Sequence, residues 1–304
     1  FYHVQHDTVI AVKRPYADQY TEASFFDECM QWINLGFHPN IVTCYYIRPV
    51  NGQLSIFFEW MDGGSLKDII LDQSLYAGAQ QDVLKRILDI SIQFARGLKF
   101  IHQKNQMHRD VKPDNLLLDR AGNAKVTDLG LAKALNAKRL SAQHSGQTSV
   151  TKSGVACTIK YASPEQLDGQ EPTEKTDIWS FAVSLVEMFT GHTIWMAGSI
   201  FETELDRYIF GDTKYNIPKP RVGVPAEIVT LPKHCFMQEP DERPTGFAEI
   251  ESRLLKVYQQ EIGSAYPERP QKMQNDVADI LNNQALSYLY TGLYTGDTAR
   301  DREL

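Results

Sequence analysis

The first sixty residues combine β-branched runs with one amphipathic stretch. Thr8–Lys13 reads T-V-I-A-V-K, which is typical of a strand in a sheet covered on one side. Apolar residues at helical spacing then predict a helix over about Asp18–Leu35. Two more strands are expected at Ile41–Ile47 and Leu54–Trp60, because Asn51-Gly52 between them is a strong hairpin signal. The pattern predicts a small sheet that carries one helix.

From Gly63 onward the pattern favours helices. Ser65 is placed to cap a short helix over Leu66–Leu71, and a long amphipathic helix is expected from about Gln80 to His102. The polar stretch Ala137–Ser153 predicts a mobile loop. Short strands are expected at Leu116–Leu118 and Lys125–Thr127, and further helices at Thr176–Thr190, around Ser199–Phe210, at Ala226–Phe236 and at Gly246–Ile262.

The last forty residues form a separate segment. Pro267–Pro270 reads P-E-R-P and predicts a linker, and apolar residues recur at helical spacing over about Met273–Tyr290. Within it, Leu281–Gly292 faintly resembles the first helix of a tetratricopeptide repeat. One partial helix is poor support for a repeat, so a C-terminal helix packed against the folded part of the chain is the preferred interpretation.

Composition and charge exclude several classes of protein. The 304 residues are enough for two lobes with a sizeable core, and a net charge of −7 argues against a general nucleic-acid binder. Cys29, Cys44, Cys157 and Cys235 are scattered without a C-x-x-C pair, which favours reduced thiols in a cytoplasmic protein. The longest apolar stretch, Ile178–Phe189, is interrupted by polar residues, so no membrane segment is predicted.

The most informative stretch is Met107–Asn115, which reads M-H-R-D-V-K-P-D-N. Matching its fixed offsets by chance has a probability on the order of one in 10⁵. Asp110 can accept a hydroxyl proton, Lys112 can neutralise developing phosphate charge, and Asn115 can offer an oxygen to Mg²⁺. The stretch resembles the catalytic loop of eukaryotic protein kinases. The alternative is a helix end followed by a solvated, charged turn.

The resemblance implies a lysine that contacts the α- and β-phosphates of ATP, and Lys13 in A-V-K matches it. A lone lysine after apolar residues is more often a surface group. A carboxylate should hold the kinase lysine, and Glu28 is preferred by its spacing to the H-P-N turn, with Asp27 as the alternative. Glu28 also places Trp32 on the same helix face.

A further carboxylate belongs to Asp128 in D-L-G, which resembles the kinase D-F-G motif with Leu in place of Phe. The resemblance implies that Asp128 binds the Mg²⁺ that bridges the ATP phosphates. A D-x-G tripeptide by itself is more often a turn. Its position after the strand-like K-V-T makes the kinase interpretation the stronger one.

The stretch E-W-M-D-G-G-S-L resembles the linker between the kinase lobes. The resemblance implies that the Glu59 carbonyl and the Met61 N–H bind the edge of adenine, with Phe58 as a bulky gatekeeper at the back. Ala11 and Leu117 would sandwich the base. The alternative is a hairpin strand followed by a G-G turn.

Two more motifs point to the protein kinases among phosphotransferases. Tyr161–Glu165 resembles the kinase A-P-E motif, and the resemblance implies a buried ion pair between Glu165 and Arg243 of D-E-R-P-T. Asp177 in T-D-I-W-S would hold the backbone of the catalytic loop. Small-molecule phosphotransferases with related cores commonly lack these motifs.

The same resemblance suggests a substrate class and a regulatory site. Lys112 and Thr158 match the Ser/Thr-kinase pattern rather than that of tyrosine kinases. Arg109 is the residue that, in the family, pairs with a phosphate on the activation segment. By its offset from Thr158, the preferred phosphorylation site is Thr151 or Ser153.

One departure concerns the phosphate-covering loop. No G-x-G-x-x-G precedes Lys13, where the family carries a glycine loop. We expect the chain to be a fragment, truncated at its N-terminus, that starts within a strand. Real absence of the loop would weaken ATP binding and favour a pseudokinase.

The sequence therefore predicts an α+β, two-lobed, protein-kinase-like fold, with a small antiparallel sheet lobe carrying one helix and a larger, mainly helical lobe. Residues 1–60 are expected to form a partial N-lobe, 61–262 the C-lobe, and 263–304 a linker and helical extension. The expected activity is transfer of the ATP γ-phosphate to Ser or Thr of a protein substrate, with Mg²⁺. A pseudokinase scaffold is the alternative, and the C-terminal helix is a candidate site for a protein partner. The predicted catalytic residues are Lys13, Glu28, Asp110 and Lys112, and the predicted metal ligands are Asn115 and Asp128.

Overall fold

The small lobe is a four-stranded antiparallel sheet with one helix. The computed structural model describes residues 2–3, 8–15, 22–129, 160–192, 202–212, 214, 217–269 and 285–289. The strands are β1 (Tyr2–His3), β2 (Thr8–Lys13), β3 (Cys44–Val50) and β4 (Gln53–Glu59), and the helix is α1 (Glu22–Leu35). The strands lie in the sheet in the order β1-β2-β4-β3.

The hairpin between β3 and β4 confirms the turn predicted from Asn51-Gly52. Both residues have positive φ, 52° at Asn51 and 79° at Gly52, as a two-residue type I′ turn requires. Asparagine and glycine are the residues that adopt this conformation at least cost. The turn sets the register in which Val50 faces Gln53.

The strand predicted at Ile41–Ile47 begins later, at Cys44. Ile41 forms a parallel bridge with Val126, and the Val42 N–H donates to the Val126 carbonyl at 2.9 Å. The backbone of this apolar stretch therefore pairs with the larger lobe before it enters the sheet. The prediction was wrong at this boundary because an apolar run does not reveal which strand it will pair with.

The larger lobe is mainly helical, which confirms the α+β, two-lobed prediction. The predicted helices are present with ends shifted by a few residues, and the residues of the predicted loop Ala137–Ser153 lie outside the described ranges. None of the helices in the described ranges is both long and apolar enough to cross a bilayer. The elements are α2 (Leu66–Leu71), α3 (Gln80–Gln103), β5 (Leu116–Leu118), β6 (Ala124–Val126), α4 (Pro164–Leu167), α5 (Glu174–Thr190), α6 (Glu202–Phe210), α7 (Ala226–Cys235) and α8 (Phe247–Ile262).

Three predicted helices extend outside the described ranges, among them the helix expected around Ser199–Phe210, which is described from Glu202. The predicted start of α1, at Asp18, lies there, and α1 is described from Glu22. Of the helix predicted over Met273–Tyr290, only residues 285–289 are described, and they are helical.

Helix α5 is the centre of the larger lobe. Every residue from Thr176 to Thr190 is buried, so the helix is surrounded by the rest of the lobe. Phe181 makes edge-to-face contacts with Phe94 of α3 and Phe247 of α8, with ring centroids 5.5 and 5.4 Å apart. Thr173 caps the first turn of α5 by accepting from the Lys175 N–H. This rigid start matters for the site, because Asp177 lies in the same turn.

Close packing of α3 joins the two lobes. A Cβ atom at Gly97 would lie 2.6 Å from the Asn40 carbonyl oxygen and 2.7 Å from Cγ2 of Val126, so only glycine allows this approach. The Asn40 side-chain amide donates to Gln93 on α3 and to the Ala124 carbonyl on β6. The turn after α1 is therefore fixed to the strand that leads into D-L-G.

The H-P-N turn also contains a histidine that the fold keeps neutral. Nδ1 of His38 accepts from the Asn40 N–H at 3.1 Å, and the ring stacks on Phe100. Burial, reinforced by Lys99 and Arg96, lowers the pKa of His38 to about 4.

We expect the unfolding free energy to depend on pH through His38. Its pKa falls from the ordinary 6.5 to about 4 on folding, so its stabilising contribution is complete above pH 6.5 and is lost as the pH falls towards 4. Denaturant unfolding between these pH values should therefore show a steeper loss of stability for the wild type than for His38→Gln. Parallel curves for the two proteins would contradict the assignment.

Candidate active site

Lys13 lies between two carboxylates that come from different parts of the fold. Its Nζ is 2.7 Å from Oε1 of Glu28 on α1 and 2.5 Å from Oδ1 of Asp128 after β6. Asp27, the alternative partner, is exposed. The contact confirms the predicted pairing of Lys13 with Glu28 and adds Asp128 to it.

Electrostatics keep this lysine charged. Burial alone would lower the pKa of Lys13, but Asp128 and Glu28 outweigh that effect and raise the pKa above its ordinary value. Burial raises the pKa of Glu28, and the attraction of Lys13 opposes the rise. The charge on Glu28 therefore depends on its contact with Lys13, and a small displacement of α1 would leave a carboxyl group buried without its partner.

The catalytic-loop stretch is held from below by Asp177, as predicted. Its two carboxylate oxygens accept from the backbone N–H groups of His108 and Arg109, at 2.8 and 2.7 Å. Nε2 of His102 lies 2.8 Å from the same carboxylate. Burial would raise the pKa of Asp177, but the contacts with His102 and His108 prevail and lower it. Arg109 has a φ of 67°, a left-handed conformation that such support can maintain.

Asp110 presents one free oxygen. Lys112 Nζ and Asn115 Nδ2 both donate to Oδ2 of Asp110, at 2.6 and 3.0 Å. Asn115 also donates to the backbone carbonyl of Asp110, at 2.8 Å. No residue in the described part of the chain contacts Oδ1 of Asp110, so this oxygen is available to accept a proton.

Backbone contacts place the D-L-G segment beside this loop. The Thr127 N–H donates to the Asn115 carbonyl at 3.0 Å, and the Thr127 carbonyl lies 2.9 Å from Nε2 of His108. Asp128 follows with a φ of 59°, and Leu129 is buried. Lys13, Glu28 and Asp128 are therefore in direct contact. The backbone of Thr127 joins this cluster to the loop that carries Asp110 and Asn115.

The oxygen atoms of the cleft suit a hard divalent cation. Both hydrogen bonds of the Asn115 amide to described residues use its nitrogen, which leaves its oxygen for a metal. Asp128 adds a carboxylate that is 47% exposed. Among the described residues, no group of three or more His, Cys, Asp or Glu could hold a metal ion by itself. Mg²⁺ commonly uses one or two protein oxygens together with phosphate oxygens, and this donor set fits that pattern.

The residues predicted to contact adenine come from the end of β4 and just after it, and from strands β2 and β5. Phe58 is buried against Trp32 of α1, with ring centroids 4.7 Å apart in an edge-to-face contact. Ala11 on β2 faces Phe58 in the sheet register. Met61 is buried, and Leu117 on β5 is half-buried. Their contacts with adenine remain predictions.

Sequence reasoning missed a second role of Glu59. Its side chain accepts from Lys125 Nζ and from the Thr43 N–H, both at 2.6 Å. The ion pair joins the linker between the lobes to β6, the strand before D-L-G. The one sign of this pair in the sequence was a lysine, Lys125, within a predicted strand. Its partner, Glu59, lies 66 residues earlier in the chain.

Sequence reasoning also missed an ion pair between Lys67 and the buried Glu187. Glu187 on α5 is fully buried and accepts from Lys67 Nζ at 2.5 Å and from the Tyr161 hydroxyl at 2.6 Å. These contacts join α2, α5 and the start of Y-A-S-P-E. They fix the end of the segment that runs from Asp128 to Glu165.

The predicted ion pair between Glu165 and Arg243 is confirmed. Two guanidinium nitrogens of Arg243 donate to the two oxygens of Glu165, at 2.7 and 2.8 Å, and both residues are buried. Arg243 also donates to the carbonyls of Met237 and Lys175. Burial would raise the pKa of Glu165, but the hydrogen bonds from Arg243 prevail and lower it.

We expect Arg243→Ala to reduce the unfolding free energy by about 3–5 kcal/mol, because it leaves the buried Glu165 carboxylate without its cation. Arg120→Ala is the matched control, since the Arg120–Asp62 pair is exposed and should contribute at most about 1 kcal/mol. Denaturant unfolding at neutral pH measures both. Similar losses for the two variants would show that burial of the Glu165 pair does not matter.

The proposed regulatory residues Thr151 and Ser153, together with Thr158, lie outside the described residues. Arg109, their predicted partner, is described. Its Nε is buried and has no hydrogen-bond partner among the described residues.

Comparison with known proteins agrees with this geometry. The sequence profile of the family described as "Protein kinase domain" matches residues 1–256. Mitogen-activated protein kinase kinase 1 of Arabidopsis thaliana is 29% identical over 226 residues, which is 73% of this chain and 59% of the relative. Mitogen-activated protein kinase kinase 1c of Physcomitrium patens is 31% identical over 228 residues, covering 73% of this chain and 61% of the relative. The chain thus spans about three fifths of the length of these two relatives.

Proposed function

The chain belongs to the protein kinase domain family, and we propose that it is a serine/threonine protein kinase that transfers the γ-phosphate of ATP to protein hydroxyl groups. One observation carries the proposal. Lys13 of the small lobe contacts Asp128, and backbone bonds join the residue before Asp128 to the loop that holds Asp110 and Asn115. These contacts support the proposal that the polar groups required for phosphoryl transfer face one cleft.

The proposed reaction gives each of these side chains a role. Asp110 receives the substrate hydroxyl proton on its free Oδ1, while Lys112 and Asn115 fix the carboxylate through Oδ2. Asn115 and Asp128 would hold Mg²⁺, and Lys13, kept charged by Glu28, would orient the phosphates. When bound, ATP would supply the phosphoryl group, and its Mg²⁺ would supply positive charge that balances the negative charge of the phosphate oxygens.

Adenine would occupy the space between the lobes. Ala11 and Leu117 would cover its faces, the Glu59 carbonyl and the Met61 N–H would bind its edge, and Phe58 would close the back. The Glu59–Lys125 ion pair supports this proposal, because it holds the linker backbone in a fixed position.

Ser and Thr are the proposed acceptor residues. Lys112, whose position matches the Ser/Thr-kinase pattern, contacts Asp110 and lies where it could also neutralise charge on the transferred phosphate. The relatives that match the chain include a mitogen-activated protein kinase kinase kinase and the serine/threonine-protein kinase STE20 of a fungus. We propose protein substrates and a cytoplasmic location, the latter supported by the free, buried thiols of Cys29, Cys44 and Cys235.

We also propose regulation by a phosphate on Thr151 or Ser153. The buried Nε of Arg109 supports this, because a guanidinium group beside the catalytic aspartate can bind phosphate. The pseudokinase alternative is the weaker one, since Lys13, Asp110, Asn115 and Asp128 are all present and converge. A protein partner of the C-terminal helix stays a prediction.

We expect Asp110→Asn in the full-length protein to reduce phosphate transfer from ATP to a generic Ser/Thr protein by about 10²-fold or more, because the proton acceptor is lost. Transfer of labelled γ-phosphate measures the rate, and thermal unfolding verifies that the variant is folded. Equal transfer by the wild type and the variant would reject the enzymatic function.

We expect Glu28→Gln to reduce kcat/KM for ATP by about 10–100-fold, because the negative charge that strengthens the hydrogen bond from Lys13 is lost. Asp27→Asn is the matched control on the neighbouring, exposed position, and it should change kcat/KM by less than about twofold. If the Asp27 variant showed the larger loss, the assignment of Glu28 would be wrong.

A further inference from the structure

The segment after α8 contacts both lobes. Its first part lies along α3, where the Tyr266 hydroxyl donates to Asp89 at 2.6 Å and Arg269 pairs with the same carboxylate. Arg269 also donates to Asn123, in the turn before β6, at 2.7 Å. Arg96 lies over the Tyr266 ring, 5.0 Å from its centroid. The chain is thus held on the larger lobe at the side where β5 and β6 meet.

The second contact is on the small lobe. In the helical stretch 285–289, Ser287 is buried and its Oγ accepts from the Ile47 N–H at 2.8 Å. The next residue, Tyr288, donates its hydroxyl to Oδ1 of Asn34 at 2.5 Å, and its ring packs against the core. Two adjacent residues therefore contact two different elements, strand β3 and helix α1.

These contacts fall at one edge of the sheet. Among the described strands, β3 pairs with β4 alone, so it is an edge strand of the described sheet. The N–H groups on the outer side of an edge strand need partners from outside the sheet. Ser287 supplies one to Ile47. Asn34 lies in the last turn of α1, so Tyr288 contacts the end of the helix that faces this edge.

Helix α1 is also the element that carries Glu28. Asn34 lies six residues after Glu28, about 9 Å along the helix axis. The hydrogen bonds of Ser287 and Tyr288 at this end limit how far α1 can tilt or move relative to the sheet. Lys13 lies in that sheet and contacts Glu28 on α1, so the distance between the two groups depends on how α1 sits on the sheet.

We propose that Ser287 and Tyr288 are positioning residues for the Lys13–Glu28 pair. By joining β3 to the end of α1, they hold Glu28 at the distance that the ion pair requires. The consequence for catalysis rests on the proposed function, whereas the consequence for α1 does not. The segment that follows the kinase lobes is then part of the machinery that sets the active arrangement of the small lobe.

The test uses the full-length protein with Ser287→Ala and Tyr288→Phe combined. Tyr266→Phe is the matched control, because it removes a hydroxyl bond from the same C-terminal segment but on α3. The first readout is hydrogen exchange of the α1 amides, which needs no activity. We expect the double variant to exchange about 2–10-fold faster in α1, with no change in α1 for Tyr266→Phe. Unchanged exchange in α1, or an equal change in the control, would overturn the proposal.

The second readout separates positioning from general stabilisation. The double variant should lower kcat/KM for ATP about tenfold in the wild-type background but less than about twofold in a Glu28→Gln background, because its effect acts through Glu28. Equal losses in both backgrounds would overturn the positioning role. If hydrogen exchange in α1 changes as expected while even the wild type transfers no phosphate, the proposed function fails. The inference that Ser287 and Tyr288 hold α1 in position would then still stand.

Discussion

A single half-buried amine determines how the parts of this protein must meet. Lys13 is charged, and a charge partly withdrawn from water needs partners close by. Those partners are Glu28 on α1 and Asp128 after β6, so the sheet, its helix and the larger lobe must come together around one atom. A state in which α1 moves away separates the Glu28 carboxylate from the cation that it pairs with.

The larger lobe supplies the rigidity that this arrangement needs. Arg109 and Asp128 both adopt left-handed backbone conformations, each at a cost of roughly 1–3 kcal/mol. Asp177 at the buried start of α5 binds the loop backbone at Arg109, and Thr127 is held by His108 and Asn115. The strain is maintained because the support comes from the centre of the core, which cannot move without disturbing the packing of α5.

Local patterns predicted what depends on neighbours in the sequence. The Asn51-Gly52 hairpin, the capped helix after Ser65 and the Glu165–Arg243 pair were all predicted, the last through a family motif rather than through its spacing. The pairing of Ile41 with Val126 was missed, because an apolar run has the same pattern whichever strand it joins. The Glu187–Lys67 pair joins residues 120 apart, and no periodicity in one sequence encodes such a contact.

The central claim is that both lobes form one cleft for a nucleotide and its metal, and a binding titration tests it most directly. Calorimetric titration of the full-length protein with ATP, with and without Mg²⁺, should show that the metal tightens binding. Asp128→Asn should remove this dependence on Mg²⁺, because it removes a ligand charge beside Lys13. An ATP affinity that is the same with and without Mg²⁺, or that keeps its full Mg²⁺ dependence in Asp128→Asn, would contradict the account.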